Sequence, residues 1–226
     1  MIRSDVEIDV PDVSRAVDAV WQRPDDARLA LVLAHGAGAG MHHPFMTRLA
    51  DALTERAVAV LRYQFPYMQA GSRRPDPPRT LVATVRAAVD HVAHLAPDLP
   101  RFAGGKSMGG RMTTTAAAAP PGLDVRGLVC VGFPLHPAKR PGTGRATHLR
   151  TVALPLLFLQ GTRDALADLD LLRPIVAALG PRACLHIVDG ADHGFAVLKR
   201  SGRTADEVMT ELADTAATRM AGWIAG

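Results

Sequence analysis

Short, largely apolar runs of strand length recur along the chain, at residues 29–34, 57–61, 99–103, 125–133, 154–160 and 183–188. Continuous runs of this kind, rather than alternating ones, are what a strand buried on both faces requires. Stretches with helical periodicity lie between them. Residues 44–56 place Phe45, Leu49, Ala52 and Leu53 on one face. Thr80 is placed as the cap of a helix that reaches about residue 96 and ends at Pro97. A small-residue helix follows at 108–119, stopped by Pro120-Pro121-Gly122. Residues 166–179 predict a helix kinked at Pro174, and 204–224 a long closing helix. Residues 6–10 and 14–21, joined at Pro11-Asp12, predict two edge strands. Two segments, 65–78 and 134–150, hold enough proline and glycine to predict irregular loops.

Strands that alternate with helices call for a doubly wound α/β fold, a mostly parallel sheet with helices on both faces. No linker, repeat or low-complexity tract interrupts the pattern, which predicts one domain over residues 1–226. In such sheets ligands bind beyond the carboxyl ends of the strands. The candidate ligand-binding loops are therefore those that follow the apolar runs.

At 226 residues the chain is long enough for a two-face core, and 48% hydrophobic with 21% charged residues excludes a disordered chain. Residues 1–7 lack the basic start and apolar core of a signal peptide, and no apolar run approaches a membrane span. The expectation is a soluble cytoplasmic protein with no membrane partner. Cys130 and Cys184 sit in apolar runs and are expected to be buried free thiols. The net charge of +4 is local: Arg62, Arg73, Arg74 and Arg79 oppose only Asp76, and Lys139, Arg140, Arg145 and Arg150 have no acid among them. Without aromatic interleaving or a nucleic-acid module, this basicity predicts no nucleic-acid partner. Oligomeric state is not legible.

The candidate chemistry begins at Gly105-Lys106-Ser107-Met108-Gly109, a Gly-x-Ser-x-Gly pattern between a predicted strand and a predicted helix. With five serines and 20 glycines in the chain, chance would flank a serine this way roughly one time in twenty-five against ordinary glycine usage. The context carries the weight: a strand that turns abruptly into a helix presents its junction residue in a strained conformation over the positive end of that helix. Gly105-Lys106-Ser107 is also the tail of a phosphate-binding loop, but the first glycine of that motif would fall at Pro100, so the fit fails. A serine hydroxyl needs a base, and the base needs a group that fixes its tautomer. Asp164 and His193 each follow a predicted strand. Asp164 could instead cap the helix near Leu166, and Asp189 and Asp192 are further carboxylates, although Asp192 as an extended neighbour of His193 would point away from it. His42 and His43 precede a helix, to line a pocket or face water. His91 and His94 are spaced i, i+3 with no third ligand. Neither a metal nor a cofactor is expected.

His35-Gly36-Ala37-Gly38, Gly105 to Arg111, Phe133-Pro134-Leu135-His136-Pro137, Gly161-Thr162-Arg163-Asp164 and Gly190-Ala191-Asp192-His193 together resemble the alpha/beta-hydrolase superfamily, over essentially the whole chain. Within it the chain is similar to small, lid-poor members such as dienelactone hydrolases, and to the group that includes testis-expressed protein 30 and a subunit of the non-specific-lethal acetyltransferase complex. Dienelactone hydrolases use cysteine at the elbow, so their substrate does not carry over to Ser107. The resemblance implies Ser107 as nucleophile, His193 as general base and then acid, and Asp164 as orienting carboxylate, in the family's chain order. It implies an oxyanion hole from the backbone N–H groups of Met108 and Ala37, with Gly38 the second choice for the latter. His35 is expected to hold that loop by hydrogen bonds and, with Gly38, Tyr67, Met68, Phe133, Leu135 and Phe195, to border the substrate. The implied substrate is a small ester, thioester or lactone in an open, lidless site; the alternative is a hydrolase-shaped binding or scaffold module. The two basic loops are expected to follow strands flanking the elbow strand, either overhanging the site to favour an acidic substrate or standing as solvated loops.

Overall fold

The computed structural model describes residues 1–225 of the chain. Its eight strands are β1 (Ile2–Ile8), β2 (Val17–Arg23), β3 (Leu29–Ala34), β4 (Val58–Tyr63), β5 (Arg101–Lys106), β6 (Leu128–Val131), β7 (Leu156–Gly161) and β8 (Ala183–Val188). They form one sheet in the order β1-β2-β4-β3-β5-β6-β7-β8. β1 and β2 pair antiparallel with each other and β2 antiparallel with β4, while β4 through β8 run parallel.

The helices are α1 (Pro44–Thr54), α2 (Pro66–Gln69), α3 (Pro78–Leu95), α4 (Met108–Ala118), α5 (Leu169–Ala178) and α6 (Ala205–Ala225). β3 shows why its run is apolar throughout. Ala30, Val32 and Ala34 join the core under α3, α4 and α5, and Leu29, Leu31 and Leu33 join the core under α1 and α6. Successive side chains of a strand point to opposite faces, so a strand covered on both sides has no polar position to spare.

Several expectations need adjustment. The hairpin strands are shifted outward from 6–10 and 14–21, and the strand at 125–133 shrinks to β6. The expected irregular segment 65–78 contains the short α2, and α3 starts at Pro78 with Pro at its first position, where the missing N–H costs nothing. Thr80 is therefore inside the first turn, bonded to Pro77 O, and is not the cap. The segment 134–150 holds a 3₁₀ helix, Gly144–Thr151, whose His148 Nε2 meets Thr114 Oγ1 at 2.9 Å. On α1 the buried face is Met46, Leu49, Ala50 and Leu53; Phe45 and Ala52 are at its margin. Cys130 is buried, but Cys184 is only half-buried.

Two corrections bear on charge. Arg62, counted with the first basic stretch, is fully buried in β4, where its guanidinium bonds Met41 O at 2.9 Å, Thr47 Oγ1 at 2.8 Å and Gln22 Oε1 at 2.8 Å. The first basic loop follows β4, which β3 separates from β5, so only the second loop follows a strand flanking the elbow strand.

Candidate active site

β5 ends at Lys106, and α4 begins at Met108, leaving Ser107 alone at the bend. Ser107 adopts φ 51° and ψ −116°, a conformation that costs an L-residue about 1–3 kcal/mol and persists only when its surroundings enforce it. They do. Ser107 N–H bonds Val131 O at 3.0 Å, and Arg111 N–H bonds Ser107 O at 3.1 Å. The glycines let α4 approach the sheet: a Cβ on Gly109 would lie 2.5 Å from Ala34 O and 2.7 Å from His35 O. The Ser107 hydroxyl caps no helix N–H. It turns instead to His193 Nε2, 2.9 Å away.

His193 reaches that point from the loop after β8. Asp192 Oδ1 accepts the Gly194 and Ala196 N–H groups at 2.8 and 3.0 Å, so Asp192 shapes this loop and makes no bond to the imidazole. His193 Nδ1 lies 2.7 Å from Asp164 Oδ2. With a carboxylate on that side the ring proton sits on Nδ1, which leaves Nε2 to accept the serine proton. The Asp164 side chain is 1% exposed and the His193 side chain 27%, so the acid is sealed from water while the base remains reachable.

Asp164 stands in the turn after β7. Its Oδ1 accepts Leu166 N–H at 2.8 Å, while α5 is capped by Asp168, which accepts Asp170 N–H at 2.9 Å. The turn and the orienting contact are thus served by two oxygens of one carboxylate. Gln160 Nε2 also donates to Oδ2, at 2.5 Å. Arg163 N–H bonds Ala191 O at 2.9 Å and ties the acid turn to the base loop. His136 Nε2 accepts Asp168 N–H at 2.9 Å and joins the loop after β6 to the same turn.

The loop after β3 runs beside the elbow; a Cβ on Gly36 would stand 3.5 Å from Ser107 Cβ. Ala37 and Gly38 are exposed at its rim. Met108 is the first residue of α4, so its N–H belongs to the donors that a helix leaves without intrahelical partners. His35 is fully buried beneath the loop, with Nδ1–H donating to Gly36 O at 2.8 Å and Nε2 accepting Phe65 N–H at 3.0 Å. Burial lowers its pKa to about 4. It holds the loop and offers no surface to a substrate.

The expected apolar border is likewise set back. Phe133 and Leu135 are fully buried, Phe133 packing edge-on against Phe158 at 5.7 Å between centroids. Tyr67 and Phe195 are 3% and 4% exposed, and only Met68 of this set is half-buried. These residues back the site. Two residues went unnoticed in the sequence. Gln160 had a signal, as the lone amide in the otherwise apolar β7. Lys106 had none beyond its place in the motif; its ammonium donates to His193 O at 2.7 Å.

Residues 27–221 match the family described as "Alpha/beta hydrolase domain". Among solved structures, the dienelactone hydrolase of Anabaena variabilis has a TM-score of 0.75 at 21% identity, covering 96% of this chain and 95% of that one. An alpha-beta serine hydrolase homologue from Coxiella burnetii scores 0.75 at 21% identity, covering 97% and 98%. A protein of Xanthomonas campestris described as a serine hydrolase without lid scores 0.73 at 21% identity, covering 96% and 94%. At these identities the likeness is one of fold.

Proposed function

From the premise that the chain belongs to the alpha/beta hydrolase family, we propose that it is a serine hydrolase cleaving a small ester, thioester or lactone through an acyl-enzyme on Ser107. The observation that carries this reading is the unbroken series Ser107 Oγ, His193, Asp164, with separations of 2.9 and 2.7 Å, at a strained elbow. His193 Nε2 takes the hydroxyl proton as Oγ attacks the substrate carbonyl. Negative charge gathers on the carbonyl oxygen, where the Met108 and Ala37 amides are the proposed donors, each worth about 3 kcal/mol. His193 then returns its proton to the departing alcohol or thiol. Water, deprotonated by the same nitrogen, releases the acid and restores Ser107. Asp164 keeps the ring in the required tautomer and stabilises the imidazolium without taking its proton.

A cytoplasmic setting is part of the proposal and is supported by two unpaired thiols, Cys130 and Cys184. The scaffold alternative has no structural observation in its favour, since a scaffold gives no reason to hold a strained serine against a histidine. The test is hydrolysis of p-nitrophenyl esters of increasing acyl length. Wild type should turn over the short esters and Ser107→Ala should fall by several orders of magnitude. Equal rates for the two proteins would overturn the reading.

A further inference from the structure

Lys106 carries a charge that the cycle above does not use. Its ammonium donates to the backbone carbonyl of His193 at 2.7 Å. It also lies 5.5 Å from the ring centroid of Phe195 and 5.8 Å from that of Phe45, two rings that stack at 5.7 Å. Gly132 keeps the slot open, since a Cβ there would stand 3.0 Å from Nζ. Asp164 and Asp192 are the carboxylates whose charges reach the ammonium.

A cation is a costly way to fill such a slot. Burial lowers the Lys106 pKa from 10.5 to about 8, and a leucine or methionine would occupy the same volume without that desolvation. What an ammonium adds is a directed, charge-assisted hydrogen bond. The loop that receives it is built as one unit by Asp192, through the bonds to Gly194 and Ala196 N–H, so fixing one carbonyl fixes the unit. Adjacent residues of the elbow therefore grip one histidine at both ends: Ser107 meets its ring and Lys106 its backbone.

We propose that Lys106 is a positioning residue, which clamps the His193 loop to the elbow and thereby sets the distance between hydroxyl and imidazole. The proposal rests on the assignment of Ser107 and His193 as nucleophile and base. A misplacement of about 1 Å at such a pair costs on the order of a hundredfold in rate. It should appear in kcat and not in KM, because the ammonium is turned to the His193 carbonyl and the two rings.

The test compares wild type, Lys106→Met and Lys106→Gln by steady-state hydrolysis of p-nitrophenyl acetate, by the rate of labelling with a fluorophosphonate, and by thermal melting. Lys106→Met should lose at least about tenfold in kcat and in labelling rate with KM within about twofold. Lys106→Gln, which keeps an N–H donor one atom short, should lose less. Wild-type kcat in folded Lys106→Met, or a loss confined to KM, overturns the proposal. Should Lys106→Met fail to fold, Lys106→Gln decides by the same split: reduced kcat at constant KM supports the clamp, and wild-type kcat overturns it. An inert, unlabelled wild type would instead overturn the serine-hydrolase reading, and the clamp with it. A labelled wild type with unaffected variants removes the clamp alone.

Discussion

Gln160 donates its side-chain amide to Asp164 at 2.5 Å, on the same carboxylate oxygen that receives His193 Nδ1–H at 2.7 Å. The amide oxygen of Gln160 has no hydrogen-bond partner in the core among the described residues. That residue therefore leaves a buried acceptor unsatisfied while it steadies the acid. Gln160→Leu is expected to lower kcat about tenfold, the worth of one hydrogen bond to a charged group, with KM nearly unchanged. Because the lost donor to Asp164 and the removed orphaned acceptor oppose each other, the denaturation midpoint should change little. Activity at the wild-type level in Gln160→Leu would mean that Asp164 Oδ2 needs no donor besides His193.

His35 makes stability sensitive to acid. Its two hydrogen bonds, to Gly36 O and from Phe65 N–H, need a neutral ring, and burial holds the folded-state pKa near 4, below the ordinary value of 6.5. Between those values the unfolded chain binds the proton and the folded chain does not. The contribution is therefore fully present above pH 6.5 and is lost as pH falls toward 4, by about 3 kcal/mol in total. Urea denaturation at pH 7 and pH 4.5 should show a steeper loss for wild type than for His35→Gln, which keeps one donor and one acceptor without a titrating group. Parallel losses would assign acid sensitivity elsewhere.

The approach of α4 to the sheet leaves no room at Gly109. An alanine there would place its Cβ 2.5 Å from Ala34 O and 2.7 Å from His35 O, both backbone atoms. Gly109→Ala is expected to cost about 3 kcal/mol, at the upper end of core overpacking, and to displace the elbow. Chemical denaturation measures the first effect and p-nitrophenyl acetate turnover the second. A variant within about 0.5 kcal/mol of wild type would show that the helix can slide to admit the methyl group.

Several cations near the elbow lack a carboxylate partner among the described residues. Arg111, one turn after Ser107, has its pKa lowered by burial and by the neighbouring Arg145, and its guanidinium makes no ion pair among the described residues. Lys139 and Arg140 stand exposed in the loop that follows β6, the strand beside β5. An ester bearing a carboxylate on its acyl chain is expected to gain in kcat/KM over its neutral counterpart at low ionic strength, and to lose that gain in 0.5 M salt, where the screening length falls to about 4 Å. Equal, salt-insensitive rates would leave these cations without a role in substrate choice.

The period of hydrophobic positions made the six parallel strands, the long helices and the loops at their carboxyl ends legible, because burial on two faces leaves few polar positions. The convergence of Ser107, Asp164 and His193 followed from the same logic, since β5, β7 and β8 end at one edge. The order of strands did not. β3 lies between β4 and β5, which no local pattern encodes, and so one basic loop was expected one strand too close to the elbow. The burial of Arg62 was not legible because its partners, Gln22, Thr47 and the Met41 carbonyl, lie elsewhere in the chain. Lys106 was opaque for the same reason, its bond being to a carbonyl 87 positions away. Leu135 was legible as apolar but not as core, a distinction that depends on which side chains pack in front of it.

The most direct test of the central claim is intact-protein mass spectrometry after incubation with a fluorophosphonate, followed by peptide mapping. One adduct is predicted, on Ser107, formed by wild type and absent from folded Ser107→Ala. Folded wild type that stays unmodified, or an adduct that maps to Ser4, Ser14, Ser72 or Ser201, would contradict the account.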